Sequence, residues 1–420
     1  MRSKTSAYRR REQLDIFSAM PRQSALGQPY QPVMDSHQVA GLFAGIGGIE
    51  LGISRAGHEA TLLCEIEPAA LAVLEQRFPS VKRVPDVTKL GKLPDSTTLV
   101  TAGFPCQDLS QAGKTAGIGG SNSGLVTHVF RLLEKRRVPW VLLENVSFML
   151  RLARGDAMRF VIDELERLGY RWAYRVMDTR AFGLPQRRER VYLLACLPEA
   201  GDPRDVLLSV DHGPPATPKD YRSFANGFYW TEGIRGLGWA VNAIPTLKGG
   251  STIGIPSPPA IWMPDGRIVK PDIRDAERLQ GFPVDWTEPA MTLGRPGRRW
   301  KLIGNAVSVV AAEWIGKQLR NPQCYEPSLD LPLEVGDSWP DAAWSLKPGK
   351  RFRSSVSRWP VLTASSPLAE FFSYPLVPLS ERATAGFLSR AGVSSLRFPE
   401  GLLSDLEEHL RAVRRETAVV

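Results

Sequence analysis

Cys106 follows a proline in Gly103-Phe-Pro105-Cys106-Gln107-Asp-Leu-Ser110, just past an apolar run, Thr98–Gly103, that reads as a β-strand. A thiol delivered on a loop stiffened by Pro105, at the end of a strand, stands where open α/β sheets bind ligands and is suited to nucleophilic attack. The commoner fate of an isolated cysteine is that of a small buried hydrophobe, and Cys64 and Cys196, inside apolar runs, fit it. A second apolar run, Val138–Glu144, ends in Leu142-Leu-Glu144-Asn145-Val146 and carries an acid and an amide to the same sheet edge. An unpaired buried carboxylate is costly, so Glu144 reads as a working group rather than a packing residue. In Gln186-Arg-Arg188-Glu-Arg190, directly before the strand-like Val191–Cys196, alternate residues Gln186, Arg188 and Arg190 share one face of an extended chain. Standing alone, such a charge run would be ordinary solvated surface.

A different chemistry is written upstream. Phe43-Ala44-Gly45-Ile-Gly47-Gly48 joins a short apolar strand, Val39–Phe43, to a helix-forming stretch, Ile49–Ala56, and its glycines permit a tight turn and close approach to a ligand. Glu65 ends the next strand, at the interval expected of an acid that accepts hydrogen bonds from ribose hydroxyls. Asp86, in Pro-Asp-Val-Thr after a third segment, is placed to reach an adenine amino group. Together these describe a site for an adenosine-containing ligand with no need of a pyrophosphate; the plainer alternative is a structural turn with surface acids.

The elements that must position these residues follow from periodicity. Strand-like runs recur at Ala60–Ile66, Thr98–Gly103, Val138–Glu144, Arg171–Asp178 and Arg190–Cys196, each apart from the last two separated by a helix-length segment. That alternation predicts an α/β fold, a parallel, doubly wound sheet with helices on both faces. Residues 1–36, rich in Arg, Gln, Ser and Pro, read as a basic flexible arm, and 37–199 as the catalytic and ligand-binding domain. From 200 to 290 the texture turns irregular and dense in Gly, Pro, Trp and Tyr, which predicts a smaller domain of loops and short strands. Residues 291–320 return to the first domain, with a helix over Val307–Arg320, and 321–420 form an extension of unknown role. Leu402, Leu403, Leu406 and Leu410 mark one face of a helix near its end.

The formal charge of +9 favours a polyanionic partner, since clustered Lys and Arg displace counterions from phosphates. Four widely spaced cysteines without a Cys-x-x-Cys pair, and only five histidines, argue against a disulfide framework or a metal site. No apolar run reaches membrane-spanning length, and the charged start carries no leader, so the expected location is cytoplasmic, at the nucleoid.

Taken in order, these segments resemble the cytosine-5 DNA methyltransferase family from about Gln38 to Gln318, two-thirds of the chain. Phe43–Gly48 is similar to that family's cofactor loop, Glu65-Ile66-Glu67 and Asp86 to its acidic cofactor contacts, and Pro105-Cys106-Gln107 to its nucleophile loop. Glu144-Asn145-Val146 and Gln186-x-Arg188-x-Arg190 match the next two motifs. Arg278-Leu-Gln-Gly-Phe-Pro283 resembles the segment that supports the recognition domain, and Gly304-Asn305-Ala-Val a returning strand whose Asn touches the cofactor.

The resemblance implies a Rossmann-like sheet that binds S-adenosylmethionine, with a target-recognition domain over 200–290. It implies that the Cys106 thiolate adds to C6 of a flipped cytosine while Glu144 hydrogen-bonds or protonates N3. Arg188 and Arg190 would hold the nucleotide and favour the thiolate, with Pro105, Gln107, Asn145 and Gln186 lining the substrate. Candidate base readers are Tyr229-Trp-Thr-Glu-Gly and Thr246-Leu-Lys-Gly-Gly-Ser-Thr252. The implied partner is double-stranded DNA, bound by a monomer, with a cognate restriction endonuclease as a genetic rather than physical partner.

Three positions depart from the pattern: Gly41 stands where Asp or Ser is frequent, Asn122 where Arg is, and Ser308 where proline is. RNA-modifying members of the family carry a Cys-Phe-Thr segment, absent here, and inactive relatives lose the reacting groups, present here. A pyrophosphate-binding oxidoreductase is disfavoured because Glu50 would crowd the phosphates.

Overall fold

The computed structural model describes residues 36–105, 124–216, 218, 220–249, 257–293 and 297–419. Cys106, Gln107 and Asn122, the second half of the Thr246–Thr252 loop and nearly all of the N-terminal arm lie outside these residues.

Alternation of side chains across extended chain makes the main sheet. In β1 (Gln38–Leu42), Val39 faces one side and Ala40 and Leu42 the other. Both faces are apolar because both are covered, so the strands read as continuous hydrophobic runs. Helix α1 (Gly48–Arg55) covers one face, and α2 (Pro68–Arg77) follows β2 (Glu59–Cys64) and leads to β3 (Lys82–Val84). Next come β4 (Leu99–Gly103), α3 (Val126–Lys135), β5 (Trp140–Val146), α4 (Asp156–Arg167) and β6 (Arg171–Asp178). Val129 and Leu133 of α3 and Met158 and Ile162 of α4 pack on the face opposite α1.

Strands β1 to β5 are parallel, in the order β3-β2-β1-β4-β5. The alternation predicts a wholly parallel sheet; the sheet is mixed. After β6 the chain forms β7 (Gln186–Arg187) and β8 (Glu189–Cys196), and β8 inserts between β5 and β6, antiparallel to both. The short connection between β6 and β8 leaves no room for the crossover helix that a parallel return requires, so the chain doubles back. The strand order reverses between β1 and β4, and it is there, at their carboxyl ends, that the 43–48 turn and the Phe104–Pro105 segment emerge.

A second sheet is built from β9 (Asn226–Phe228), β10 (Ala240–Val241), β12 (Ala260–Trp262) and β13 (Ile268–Lys270), while β11 (Ile244–Pro245) pairs with β7. Helices α5 (Ile273–Leu279), α6 (Gly297–Asn305) and α7 (Val309–Arg320) lead back to the main sheet, where Ala311, Ala312 and Ile315 join the core under α1.

The residues after Arg320 divide between the two sheets. β14 (Leu331–Pro332), β15 (Ala342–Lys347) and β16 (Lys350–Arg353) continue the main sheet through antiparallel pairing of β15 with β6, to ten strands among the described residues. They cover an edge that would otherwise expose a row of unpaired backbone groups. β17 (Val377–Pro378) then pairs with β13, and α8 (Glu381–Gly392) and α9 (Leu402–Val419) bury Phe387, Leu402 and Leu406 against Phe228 and Trp262.

Candidate active site

The 43–48 turn is bent by positive backbone angles at Phe43, Gly45 and Gly47; at Gly47 (φ 79°) a Cβ would also run into the Phe78 ring. Its shape is held from three sides. The Gly45 N–H donates to Glu65 Oε2 at 2.7 Å, the Ala44 N–H to the Cys64 carbonyl at 3.0 Å, and Trp286 Nε1 to the Ile46 carbonyl at 2.9 Å. Glu65 Oε1 accepts the N–H groups of Ile66 and Glu67, so three backbone donors fix this carboxylate at the strand end.

Around the turn lies a mostly apolar cavity lined by Phe43, Ala44, Gly45, Gly48, Glu65, Ile66 and Asp86 among others. Asp86 Oδ1 accepts from the Thr88 N–H and hydroxyl, which hold its carboxyl below the usual range, and among the described residues Oδ2 has Lys89 at 3.9 Å. Ile66, 71% exposed, offers a flat apolar wall beside the two acids.

A second, more polar cavity is lined by Phe104, Pro105, Glu144, Asn145, Val146, Arg188, Arg190 and Gly304. Glu144 is buried, and burial pushes its pKa up against the opposing pull of Arg190 and Arg188. Arg190 Nε stands 3.2 Å from Glu144 Oε1. Asn145 Nδ2 donates to the Phe104 carbonyl at 3.0 Å, tying the segment that leads to Cys106 onto the end of β5. The two cavities share Gly103, Pro105 and Asn305 as a common wall.

Some sequence expectations change in three dimensions. Gln186 is fully buried and lines neither cavity: its Nε2 donates to the Leu279 carbonyl and Gln280 Oε1, and its Oε1 accepts the Leu247 N–H. Arg188 is a cavity wall and also a clamp, donating to the carbonyls of Leu247 (3.3 Å), Gly304 (3.4 Å) and Ala306 (2.5 Å), with burial lowering its pKa to about 9. Asn305 ends helix α6 rather than lying on a returning strand, and reaches both cavities from there. Gly47 shapes the turn without lining the first cavity. Cys64 and Cys196 are buried, and burial pushes both thiols up to about 12.

Sequence reasoning gave no site role to Lys301, Leu125 or Val307, which line the first cavity, or to Trp286, which holds its turn. Lys301 Nζ pairs with Glu67 Oε2 at 3.2 Å across 234 positions, and no local pattern marks such a partner. Among the described residues no group of three or more His, Cys, Asp or Glu is placed to hold a metal ion, and no helix is long and apolar enough to cross a membrane.

Residues 37–205 match the family described as C-5 cytosine-specific DNA methylase. The chain is 49% identical, over 384 residues, to the Type II methyltransferase M2.BsuMI of Bacillus subtilis (strain 168), covering 88% of this chain and 97% of that one. It belongs to the cytosine-5 DNA methylase family. A second relative, the Type II methyltransferase M.BsuFI of Bacillus subtilis, is 38% identical over 162 residues, 38% of the methylase and 39% of that protein. In fold, the methylase is similar to the S. pombe Dnmt2 methyltransferase, with a TM-score of 0.50 and 18% identity over 67% of this chain and 97% of that one. The 88% coverage leaves all but about 50 of the 420 residues inside the likeness to M2.BsuMI, so at least half of the residues after Arg320 are shared with that relative.

Gly41, where the family often has Asp or Ser, has a local explanation in the methylase. A Cβ there would fall on Glu50, whose carboxylate fills that space and accepts from Thr101 Oγ1 at 2.8 Å. Glu50 was expected to crowd a phosphate; instead its side chain is buried at 2% exposure, turned under β1 and away from the cavity. Desolvation raises its pKa to about 7, against the opposing hydrogen bond from Thr101. The folded chain therefore holds a proton that the unfolded chain releases near the ordinary carboxyl value. Stability from this group is full below about pH 4.5 and is lost as pH rises through about 7, by roughly 3 kcal/mol at most. Glu50→Gln should flatten that part of the profile: urea unfolding at pH 5 and pH 8 will show the variant losing less stability than wild type on going to pH 8, and equal losses would refute the raised pKa.

Proposed function

We propose that the methylase transfers a methyl group from S-adenosylmethionine to C5 of a cytosine flipped out of duplex DNA, through a transient bond between Cys106 and C6. The observation that carries this reading is the common wall of Gly103, Pro105 and Asn305 between an apolar, acid-edged cavity and a polar one containing Glu144. Two ligands held in these cavities lie next to each other at the loop that carries the nucleophile.

The first cavity fits S-adenosylmethionine on the chemistry of its donors: Glu65 for the ribose hydroxyls, Asp86 Oδ2 for the adenine amino group, and Phe43 and Ile66 for the ring faces. When bound, this cofactor supplies an electrophilic methyl group on a sulfonium. C5 of cytosine is too weak a nucleophile to take it unaided. Cys106 adds through sulfur to C6, and Glu144, its pKa raised by burial, gives a proton to N3, so that the C5–C6 electron pair moves into a C4–C5 enamine and C5 becomes nucleophilic. Once C5 carries the methyl group, its proton passes to solvent water, the C5–H electron pair re-forms the C5–C6 double bond, the C6–S bond breaks with its pair on the Cys106 thiolate, and the N3 proton returns to Glu144. Arg190 holds the Glu144 carboxyl in place, and its cation would favour the Cys106 thiolate.

The base must leave the stack to reach this cavity, at a cost of a few kcal/mol offset by pocket and phosphate contacts. We assign residues 200–290 to recognition of base edges in the duplex. Biologically, the likeness to Type II methyltransferases supports a protective role beside a restriction endonuclease encoded with it; we take the enzyme to act as a monomer at the nucleoid.

The test is transfer of radiolabelled methyl from S-adenosylmethionine to unmethylated duplex DNA, with a tRNA pool in parallel. The expected result is label in 5-methylcytosine of the duplex. Label in tRNA alone would overturn the substrate, and label in neither would overturn the activity.

A further inference from the structure

Resting on the assignment of residues 200–290 to DNA recognition, we propose that helix α8, supplied by the C-terminal segment, sets the position of the 229–237 loop on the duplex, with Arg390 as a positioning residue for sequence recognition.

The path from the reacting base to that loop is short. Gly304 and Asn305, on the wall of the base cavity, pack directly against the backbone of Lys248 and Gly249. Lys248 lies over the Tyr229 ring, its Nζ 3.8 Å from the centroid, and pairs with Glu232. The Tyr229 hydroxyl donates to the Thr246 carbonyl, and the Leu247 carbonyl accepts from Arg188. Tyr229 to Leu237 thus forms a closed arch, with the Tyr229 N–H on the Leu237 carbonyl and the Gly233 N–H on the Gly236 carbonyl, joined to the base cavity through Lys248 and through the Tyr229 hydroxyl on the Thr246 carbonyl.

The far side of the arch is held by residues some 160 positions downstream. Arg390 Nε donates to the Glu232 carbonyl at 2.9 Å and its Nη2 to the Trp230 carbonyl at 2.5 Å. Ser394 Oγ donates to the Ile234 carbonyl at 3.0 Å. Phe387, fully buried in α8, packs on Phe228 at the foot of the arch, ring centroids 5.3 Å apart. Two-pronged donation by a planar guanidinium fixes direction as well as distance, a service a lysine performs poorly. The arch presents Ile234, 47% exposed, with Thr231 and Arg235 beside it: an apolar group for a thymine methyl and polar groups for base edges or phosphates. A loop that reads bases through such contacts loses discrimination when its backbone shifts, even though no reading side chain is changed.

The experiment compares full-length wild type, Arg390→Ala and Arg390→Lys on a library of duplexes randomised around the target, with methylated cytosines mapped by bisulfite sequencing and KM and kcat measured on the preferred site. Arg390→Ala should lose about tenfold in preference at one or more base positions, with the effect falling on KM for DNA rather than on kcat, and Arg390→Lys should lie between it and wild type. A purely structural role would lower the melting temperature and active fraction while leaving base preference intact; a folded Arg390→Ala with unchanged preference overturns the proposal. Should Arg390→Ala fail to fold, Ser394→Ala, which removes the bond to the Ile234 carbonyl and the local acceptor of the Leu396 N–H, decides in the same assay: a shifted preference supports the proposal and an unchanged one overturns it. Wild type that methylates the library without any base preference would remove the recognition reading and this proposal together. Wild-type preference that Arg390→Ala leaves untouched removes the proposal alone.

Discussion

Cys106→Ser will form no covalent complex with duplex DNA carrying 5-fluorocytosine, whereas the wild-type chain will be trapped on it when S-adenosylmethionine is present. Fluorine in place of the C5 proton blocks the elimination that frees the enzyme, so the adduct accumulates and survives denaturing electrophoresis. Serine keeps nearly the size of cysteine, but its hydroxyl is far less acidic and is a poor nucleophile toward C6. Methyl transfer to ordinary cytosine should fall by more than about 10³-fold, while DNA binding changes little. An adduct that persists in the variant would place the nucleophile elsewhere; the buried thiols of Cys64 and Cys196 are poor candidates because burial pushes their pKa values up.

Glu144→Gln carries the second largest expected effect. The amide preserves shape and can still hydrogen-bond N3 and face Arg190, which stands 3.2 Å from the wild-type carboxyl, yet it cannot deliver a proton. Loss of a positioned general acid costs about 10²- to 10⁴-fold, and the fall should appear in kcat rather than in affinity for DNA. The pH profile separates this role from a structural one. Burial raises the Glu144 pKa, with Arg190 and Arg188 opposing, so the acid is protonated at low pH and loses its proton as pH rises. Wild-type kcat should decline on the alkaline side through that ionisation, and Glu144→Gln should lack that limb. A variant with near wild-type kcat, or with the limb retained, would show that N3 takes its proton from another group.

The C-terminal residues matter to both outcomes through the scaffold. Trp339 donates from Nε1 to the Gly155 carbonyl and packs on Trp172 and Tyr174, while Arg351 pairs with Glu166, so the strands after Arg320 brace the β6 side of the sheet in which β5 presents Glu144. Sequence alone left this segment without a role because its strands are short and their partners, on β6 and β13, lie far upstream.

What the sequence by itself determined about this protein is the chemistry held in contiguous residues. The 43–48 turn, the acids at Glu65 and Asp86, the Pro105-Cys106 pair and the Glu144-Asn145 strand end are each local: backbone freedom at glycine, proline stiffness and strand periodicity operate over a few residues and leave their mark in order. The same period announced the sheet and its central strands. Only the tertiary structure decided which of those residues meet and which are used up in holding the fold. Gln186 shares a strand face with Arg190, yet its amide is taken by Leu279, Gln280 and Leu247. Glu50 sits beside a ligand turn yet belongs to the core, because Gly41 leaves the space for it. Lys301 reaches the first cavity, and Arg390 the 229–237 arch, across separations of 234 and 158 to 160 positions. Contacts of that range depend on how whole elements dock, and docking is set by the summed packing of many side chains, which no single stretch of sequence displays.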